Sequence, residues 1–237
     1  MTYIFLILAV CLFFLVIEVY QYLRDQILLR RVTSLDRGTE SERRLILKLL
    51  KMGIPASCIY HDLYLETSPG KYSQIDVAAV TASGIIVFEV KDYSGKIYGA
   101  GYSTYWAEYM NGEKYKFYNP VMQNASHMRA LRKEVWNLGR IPLFSVVVFF
   151  GDCKLKKVDA IPEGVRVVYS RHLRAAVSEI LSGNSRASYF NRTQLDRVLH
   201  QAVENGDDEE IRNRHIENVR RLTRPNIFIR ILRWLFA

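Results

Sequence analysis

The hydrophobic pattern opens without a break. Almost every residue from 2 to 17 is apolar, and Val19, Tyr20, Tyr22 and Leu23 around Glu18 carry the run to about the 20 residues that span a bilayer as a helix. Residues 24–37 are mixed and basic, which predicts that the helix runs on past an interface into a linker. The pattern then turns globular. Thr39-x-x-Glu42 has capping-box spacing and precedes Leu45, Ile46, Leu49, Leu50 and Met52, an amphipathic helix ending near Gly53 and Pro55. Residues 59–65 alternate as a first strand, and two apolar runs within 74–95 meet at a small-residue turn, a β-hairpin. A further hairpin follows at 96–116, rich in Gly and Tyr and turning at Asn111-Gly112. Asn119-Pro120 is a helix start, and Val121, Met128, Leu131, Val135 and Leu138 give that helix its core stripe.

The remainder predicts a central strand at 143–150, a basic loop at Lys154, Lys156 and Lys157, and another strand at 165–169. Ser170 heads a helix ending at Gly183, and after a polar break at 184–188 helical patterns run over about 193–203 and 207–222. Beyond Pro225 an apolar tail carrying Arg230 and Arg233 is too short to span a membrane and suits its surface or a docking face.

Charge decides how the ends are read. The chain has 237 residues and a formal charge of +9, a balance that favours nucleic acid or anionic headgroups as partners without choosing between them. No Lys or Arg precedes the apolar run, whereas Arg24, Arg30, Arg31 and Arg37 follow it, so the expected topology is a single pass with the N-terminus outside and the bulk cytoplasmic. A cleaved signal peptide is the competing reading, but the run lacks a basic start and an Ala-x-Ala site. Cys11, Cys58 and Cys153 are odd in number and widely spaced, which suggests neither a disulfide framework nor a zinc site.

Three charges interrupt the central hairpin: Asp76, Glu89 and Lys91. Strand alternation puts Glu89 and Lys91 on one face with Ile85 and Val87, while Ile86, Phe88 and Val90 take the other, so both faces are apolar and the strand is buried. With Ala82-Ser83 as the turn, Asp76 faces Glu89; with Ser83-Gly84, it faces Lys91. Either register gathers two carboxylates and an ammonium, with opposed Cβ atoms roughly 5 Å apart. A buried carboxylate pair calls for a cation between its members, and all-oxygen donors point to Mg²⁺ or Mn²⁺. The bland reading is strand-end carboxylates paired with Lys91. Glu42 likewise reads as the capping carboxylate of its own helix. His61 and Asp62, neighbours on a strand, are assigned surface and edge roles, and His127 is read as an exposed helical histidine beside Gln123.

These residues resemble the NERD (nuclease-related) domain of the PD-(D/E)xK nuclease superfamily. The matching pieces are Gly38-x-x-x-Glu42, Gln74-Ile75-Asp76, Phe88-Glu89-Val90-Lys91 with Tyr93-x-Gly95, Trp106, and Asn119-Pro120-x-x-Gln123. Ser41 departs from the glycine usual before the helix glutamate. The resemblance, which covers about residues 38–151, implies an α/β, restriction-endonuclease-like core, a mixed central sheet flanked by helices; to it the apolar run adds an N-terminal transmembrane helix and the later helical patterns a C-terminal helical extension. The expected divisions are anchor 1–23, linker 24–37, nuclease-like domain 38–170 and extension 171–237. The resemblance further implies a nuclease, tethered to the membrane by the N-terminal helix, in which Glu42, Asp76 and Glu89 hold Mg²⁺ or Mn²⁺, Lys91 orients the nucleophile or stabilises the transition state and Gln123 orients water or substrate. Nucleic acid, DNA for preference, is the expected partner, contacted by Trp106, Lys114, Lys116, Arg129 and Lys133. A binding module without catalysis is the alternative, and for Trp106 a packed lid over the core competes with base stacking.

Overall fold

The computed structural model describes residues 2–183 and 190–223; the polar break and the apolar tail after Pro225 lie outside the described residues. Helix α1 (Thr2–Leu29) is apolar over most of its length and exposed over the stretch long enough to cross a membrane. It ends in the fold rather than on a free linker. Leu29 is buried with the residues of α2 (Glu40–Lys51), and the Lys51 ammonium lies 2.5 Å from Asp25. Thr39 caps α2, its hydroxyl accepting from the Glu42 amide.

The central sheet contains β1 (Ile59–Ser68), β2 (Lys71–Thr81), β3 (Gly84–Asp92), β7 (Leu143–Phe150) and β9 (Val165–Tyr169), in the order β1-β2-β3-β7-β9. β1, β2 and β3 pair antiparallel, whereas β7 lies parallel to β3 and β9 parallel to β7. Thr81 pairs with Gly84, so Ala82-Ser83 is the turn and the first of the two hairpin registers is the one adopted. Both faces of the sheet are covered. Ile86, Phe88, Val146 and Val148 pack against α2 and α4 (Leu173–Gly183) on one side. Ile85, Val87 and Leu63 pack on the other against α3 (Pro120–Val135) and α5 (Arg192–Asn205). β9, α4 and α5 thus complete the cores begun upstream, so no structural break falls at 170.

Between β3 and α3 the chain builds β4 (Lys96–Ala100), β5 (Tyr105–Met110) and β6 (Glu113–Tyr118), and with β8 (Lys154–Asp159), which follows β7, they form a second sheet in the order β6-β5-β4-β8. The expected hairpin is therefore three strands, turning at Asn111-Gly112 with φ of 53° and 83°, and the expected basic loop is the strand β8, paired parallel to β4. β8 eluded the pattern because its Lys-Leu-Lys-Lys edge is mostly solvent-facing and offers few buried positions.

His61 and Asp62 are not at the surface. Both are buried on the edge strand β1, covered by residues 33–37 and by the helices after 190. Asp62 has φ 58°, which breaks the alternation on which the surface assignment rested. Its carboxylate accepts from Gln74 Nε2 at 2.6 Å and from Arg37 Nε at 3.2 Å. Arg37 also donates to the Asp62 and Val203 carbonyls and reaches Asp207 at 2.8 Å, so it stitches the linker, β1 and the C-terminal helices together. Arg37→Ala leaves a buried carboxylate short of its cation and is expected to cost about 2 kcal/mol in a denaturant titration of the detergent-solubilised chain. An unchanged midpoint would show the stitch to be idle.

Candidate active site

The hairpin places the acids as the adopted register requires. Glu89 has no exposed surface, and its carboxylate meets Lys91 Nζ at 2.6 Å and His127 Nε2 at 3.2 Å. Neither contact is aligned as a hydrogen bond, so both buried Glu89 oxygens keep unused acceptor capacity. Lys91 Nζ donates to Gln123 Oε1 at 3.1 Å, which ties the end of β3 to the first turn of α3. His127, one turn on, is buried rather than exposed, and its other ring nitrogen lies 2.8 Å from the Ser73 hydroxyl. The helical spacing of Gln123 and His127 carried that signal, because a face shared with a site residue is a face turned inward.

Asp76 sits among these charges. The Val90 N–H donates to its carboxylate at 2.7 Å, yet its pKa is pushed well above the usual carboxylate range, first by burial and then by Glu89 and Glu42. Burial pushes Glu89 up as well, but Lys91 and His127 more than offset it and the net shift is downward. Lys91 is pulled down by burial and held above its ordinary value by Glu89 and Asp76. Two neighbouring carboxyls are therefore driven apart, one reluctant to ionise and one firmly ionised.

Glu42 approaches from α2. Its carboxylate accepts from the Thr39 hydroxyl at 2.8 Å and pairs with His61 Nε2 at 3.0 Å, while His61 Nδ1 lies 2.7 Å from Thr33 Oγ1. Burial raises the Glu42 pKa, but His61 and Thr39 outweigh it and the net shift is downward. One oxygen of Glu42 thus serves the helix start, and its charge still reaches Asp76. Gly38, with φ 64°, is fixed by the same crowding, since a Cβ there would strike the Glu42 carboxylate and the His61 ring. Ser41 is buried and donates to the Asp92 carboxylate.

Residues 37–150, just under half of the chain, match the family described as the nuclease-related domain. The chain carries a NERD domain. An uncharacterized protein of Bacillus anthracis is 24% identical over 183 residues, which cover 76% of this chain and 82% of that relative. No solved structure matches.

Within the NERD domain the Asn119-Pro120-x-x-Gln123 motif has a clear physical basis. The Asn119 side chain accepts from the Val121 amide at 2.9 Å and donates to the carbonyls of Ala100, Gly101 and Ser103, so it starts α3 and pins the second sheet to it. Asn124, which the motif passes over, donates to Val87 O at 3.0 Å and Ser145 Oγ at 2.8 Å and locks α3 onto β3 beside Glu89. Trp106 is a correction to the expected nucleic-acid contacts. It is 1% exposed, donates to Ala100 O at 3.0 Å and stacks on Phe149, because alternation along β5 turns it inward. Lys114 and Lys116 on β6 and Arg129 and Lys133 on α3 are exposed, with Lys133 donating to Thr67 O at 3.1 Å.

The donors suit a hard divalent cation in kind: carboxylate oxygens, two of them buried without hydrogen bonds, beside an acid that neighbouring charge makes costly to ionise. They are not drawn into a ready cage. Among the described residues no group of three or more His, Cys, Asp or Glu side chains is placed to hold a metal ion. Glu42 is engaged by His61 and Glu89 by Lys91 and His127.

Proposed function

We propose that this chain is a divalent-metal-dependent nuclease, hydrolysing phosphodiester bonds of DNA or RNA and held at a membrane by α1 with its catalytic domain in the cytoplasm. One observation carries the reading within the NERD match: a fully buried Glu89 ion-paired to Lys91 beside an Asp76 that resists ionisation. Structural ion pairs do not need the second acid, whose repulsion costs stability and is relieved by a bound cation. Asp76 and Glu89 would hold Mg²⁺ or Mn²⁺, with Glu42 and the Val90 carbonyl as further oxygen donors. The metal would supply charge neutralisation at the phosphodiester and activation of water. Lys91, kept protonated, offers its ammonium to the charge that builds on the phosphate, and Gln123 fixes its direction. His127, bridging Glu89 and Ser73, acts through Glu89 as a positioning residue.

A second reading, a nucleic-acid-binding module without catalysis, is favoured by the contacts of Lys91 and His127 with Glu89, which engage the carboxylate that a metal would need. Both are tested on the full chain in neutral detergent with labelled single- and double-stranded DNA and RNA. Cleavage in Mg²⁺ or Mn²⁺, absent with EDTA and absent in Asp76→Ala, is the expected result. A wild-type chain that cuts none of them under either metal overturns the nuclease reading, and salt-sensitive binding untouched by Asp76→Ala then supports the second.

A further inference from the structure

The second sheet has one face turned inward and one open. Ile97, Trp106 and Phe117 pack inward against Val147 and Phe149 of β7. The opposite positions form two rows running across the strands. Lys154, Lys96, Tyr109 and Lys114 are paired in succession in the first, and Lys157, Tyr98, Ala107 and Lys116 in the second. Tyr105 and Tyr118 form a third pair beyond them. All four tyrosines are exposed and stand in two edge-to-face pairs, Tyr98–Tyr109 at 5.3 Å and Tyr105–Tyr118 at 6.2 Å. The Lys114 ammonium lies 5.3 Å from the centre of the Tyr109 ring. A concavity of about 700 Å³ lies over this face, lined by Tyr98, Tyr102 and Tyr105 and by Lys114, Lys116 and Lys157.

This face costs the fold something. Lysines placed directly opposite one another, as Lys96 and Lys154 are, repel, and exposed aromatic rings gain little against water. Asp159, the concavity's one acidic lining residue among the described residues, lies 3.9 Å from the Lys157 ammonium. A polyanion with accessible flat, apolar rings satisfies both halves of the pattern. Base faces are hidden within a duplex and open in a single strand, so stacking on tyrosines selects the single strand while lysines between them take the phosphates. The sheet is also bound to the acid site by the chain itself. β4 begins shortly after Lys91, β6 ends at the Asn119 cap of α3, and Lys91 and Gln123 bond to each other across the insertion.

We infer that the Tyr/Lys face of the second sheet is a binding platform for single-stranded nucleic acid, feeding an unpaired strand or end to the Asp76–Glu89–Lys91 site. The substrate half of this inference rests on the proposed nuclease function; the binding half does not.

The test is fluorescence anisotropy of the full chain in neutral detergent, in EDTA so that nothing is cut, with a labelled mixed-sequence 20-mer and its duplex as probes. The strand is expected to bind at least roughly 10-fold tighter than the duplex, and Tyr98→Ala/Tyr109→Ala to weaken strand binding by at least roughly 30-fold, with Tyr→Phe at both positions restoring it. Lys114→Ala/Lys116→Ala is expected to lower the salt slope by about 1.4. Strand binding in EDTA without cleavage in metal sinks the nuclease reading and supports the platform. Metal-dependent cutting of duplex with no strand preference overturns the platform and leaves the nuclease. Strand binding that no tyrosine substitution moves overturns it too, and protection of residues 96–118 from hydrogen exchange on phosphatidylglycerol nanodiscs but not neutral ones would then assign the face to lipid.

Discussion

Lys91→Ala is expected to lose metal-dependent cleavage and, in the same step, about 3–5 kcal/mol of folding stability. The motif alone assigns Lys91 to chemistry and leads one to expect an intact fold without it. The geometry says otherwise. Glu89 is wholly buried, its carboxylate is 2.6 Å from Lys91, and the remaining contact is a histidine at 3.2 Å that is a full cation only when protonated. Removing the ammonium strands a charge in the centre of the sheet, the costliest kind of single substitution. Denaturant midpoints of the solubilised chain check this beside a Glu89→Gln/Lys91→Met double variant. The double variant should recover most of the stability and none of the cleavage. A Lys91→Ala protein that unfolds where the wild type does would mean that Glu89 is neutral or solvated.

Asp76→Asn is expected to move stability the other way. Its folded-state pKa is raised above the unfolded value by burial, Glu89 and Glu42, so the folded chain holds this proton to higher pH than the unfolded chain. That contribution is fully present below the unfolded pKa and is lost as pH rises through the folded one. At neutral pH without metal, keeping Asp76 in the fold therefore carries a cost that asparagine avoids, so Asp76→Asn is expected to raise the denaturant midpoint while abolishing cleavage. The gain over wild type should shrink to nothing as the solution is made acid. Adding Mg²⁺ should raise the wild-type midpoint and leave that of the variant unmoved. An asparagine variant less stable than wild type at neutral pH would show that the Val90 N–H bond outweighs the repulsion.

Most of the central sheet was legible because its strands are short apolar runs and its hairpin has a countable turn. Counting from either candidate turn gathers Asp76, Glu89 and Lys91 on one side, and the pairing of Thr81 with Gly84 decides between the two registers. What escaped is held by distant partners or by broken periodicity. Asp62 defeats alternation through a positive φ. His61 and His127 look idle along the chain because the groups that bury and bond them, Thr33 and Glu42 for one and Ser73 and Glu89 for the other, lie far away in sequence. Trp106 shows the same rule in reverse: the motif marks it correctly, yet inward placement on β5 makes it a strut rather than a contact.

The way α1 meets the globular fold has one more consequence. With Leu29 inside the core and Asp25 clasped by Lys51, the helix is a post and not a leash. Whatever the post is planted in, the globular head stands at a set height and bearing, and as the proposed nuclease it would reach only strands that pass close to that surface. A flexible spacer inserted after Leu29 would free it to roam and widen its diet.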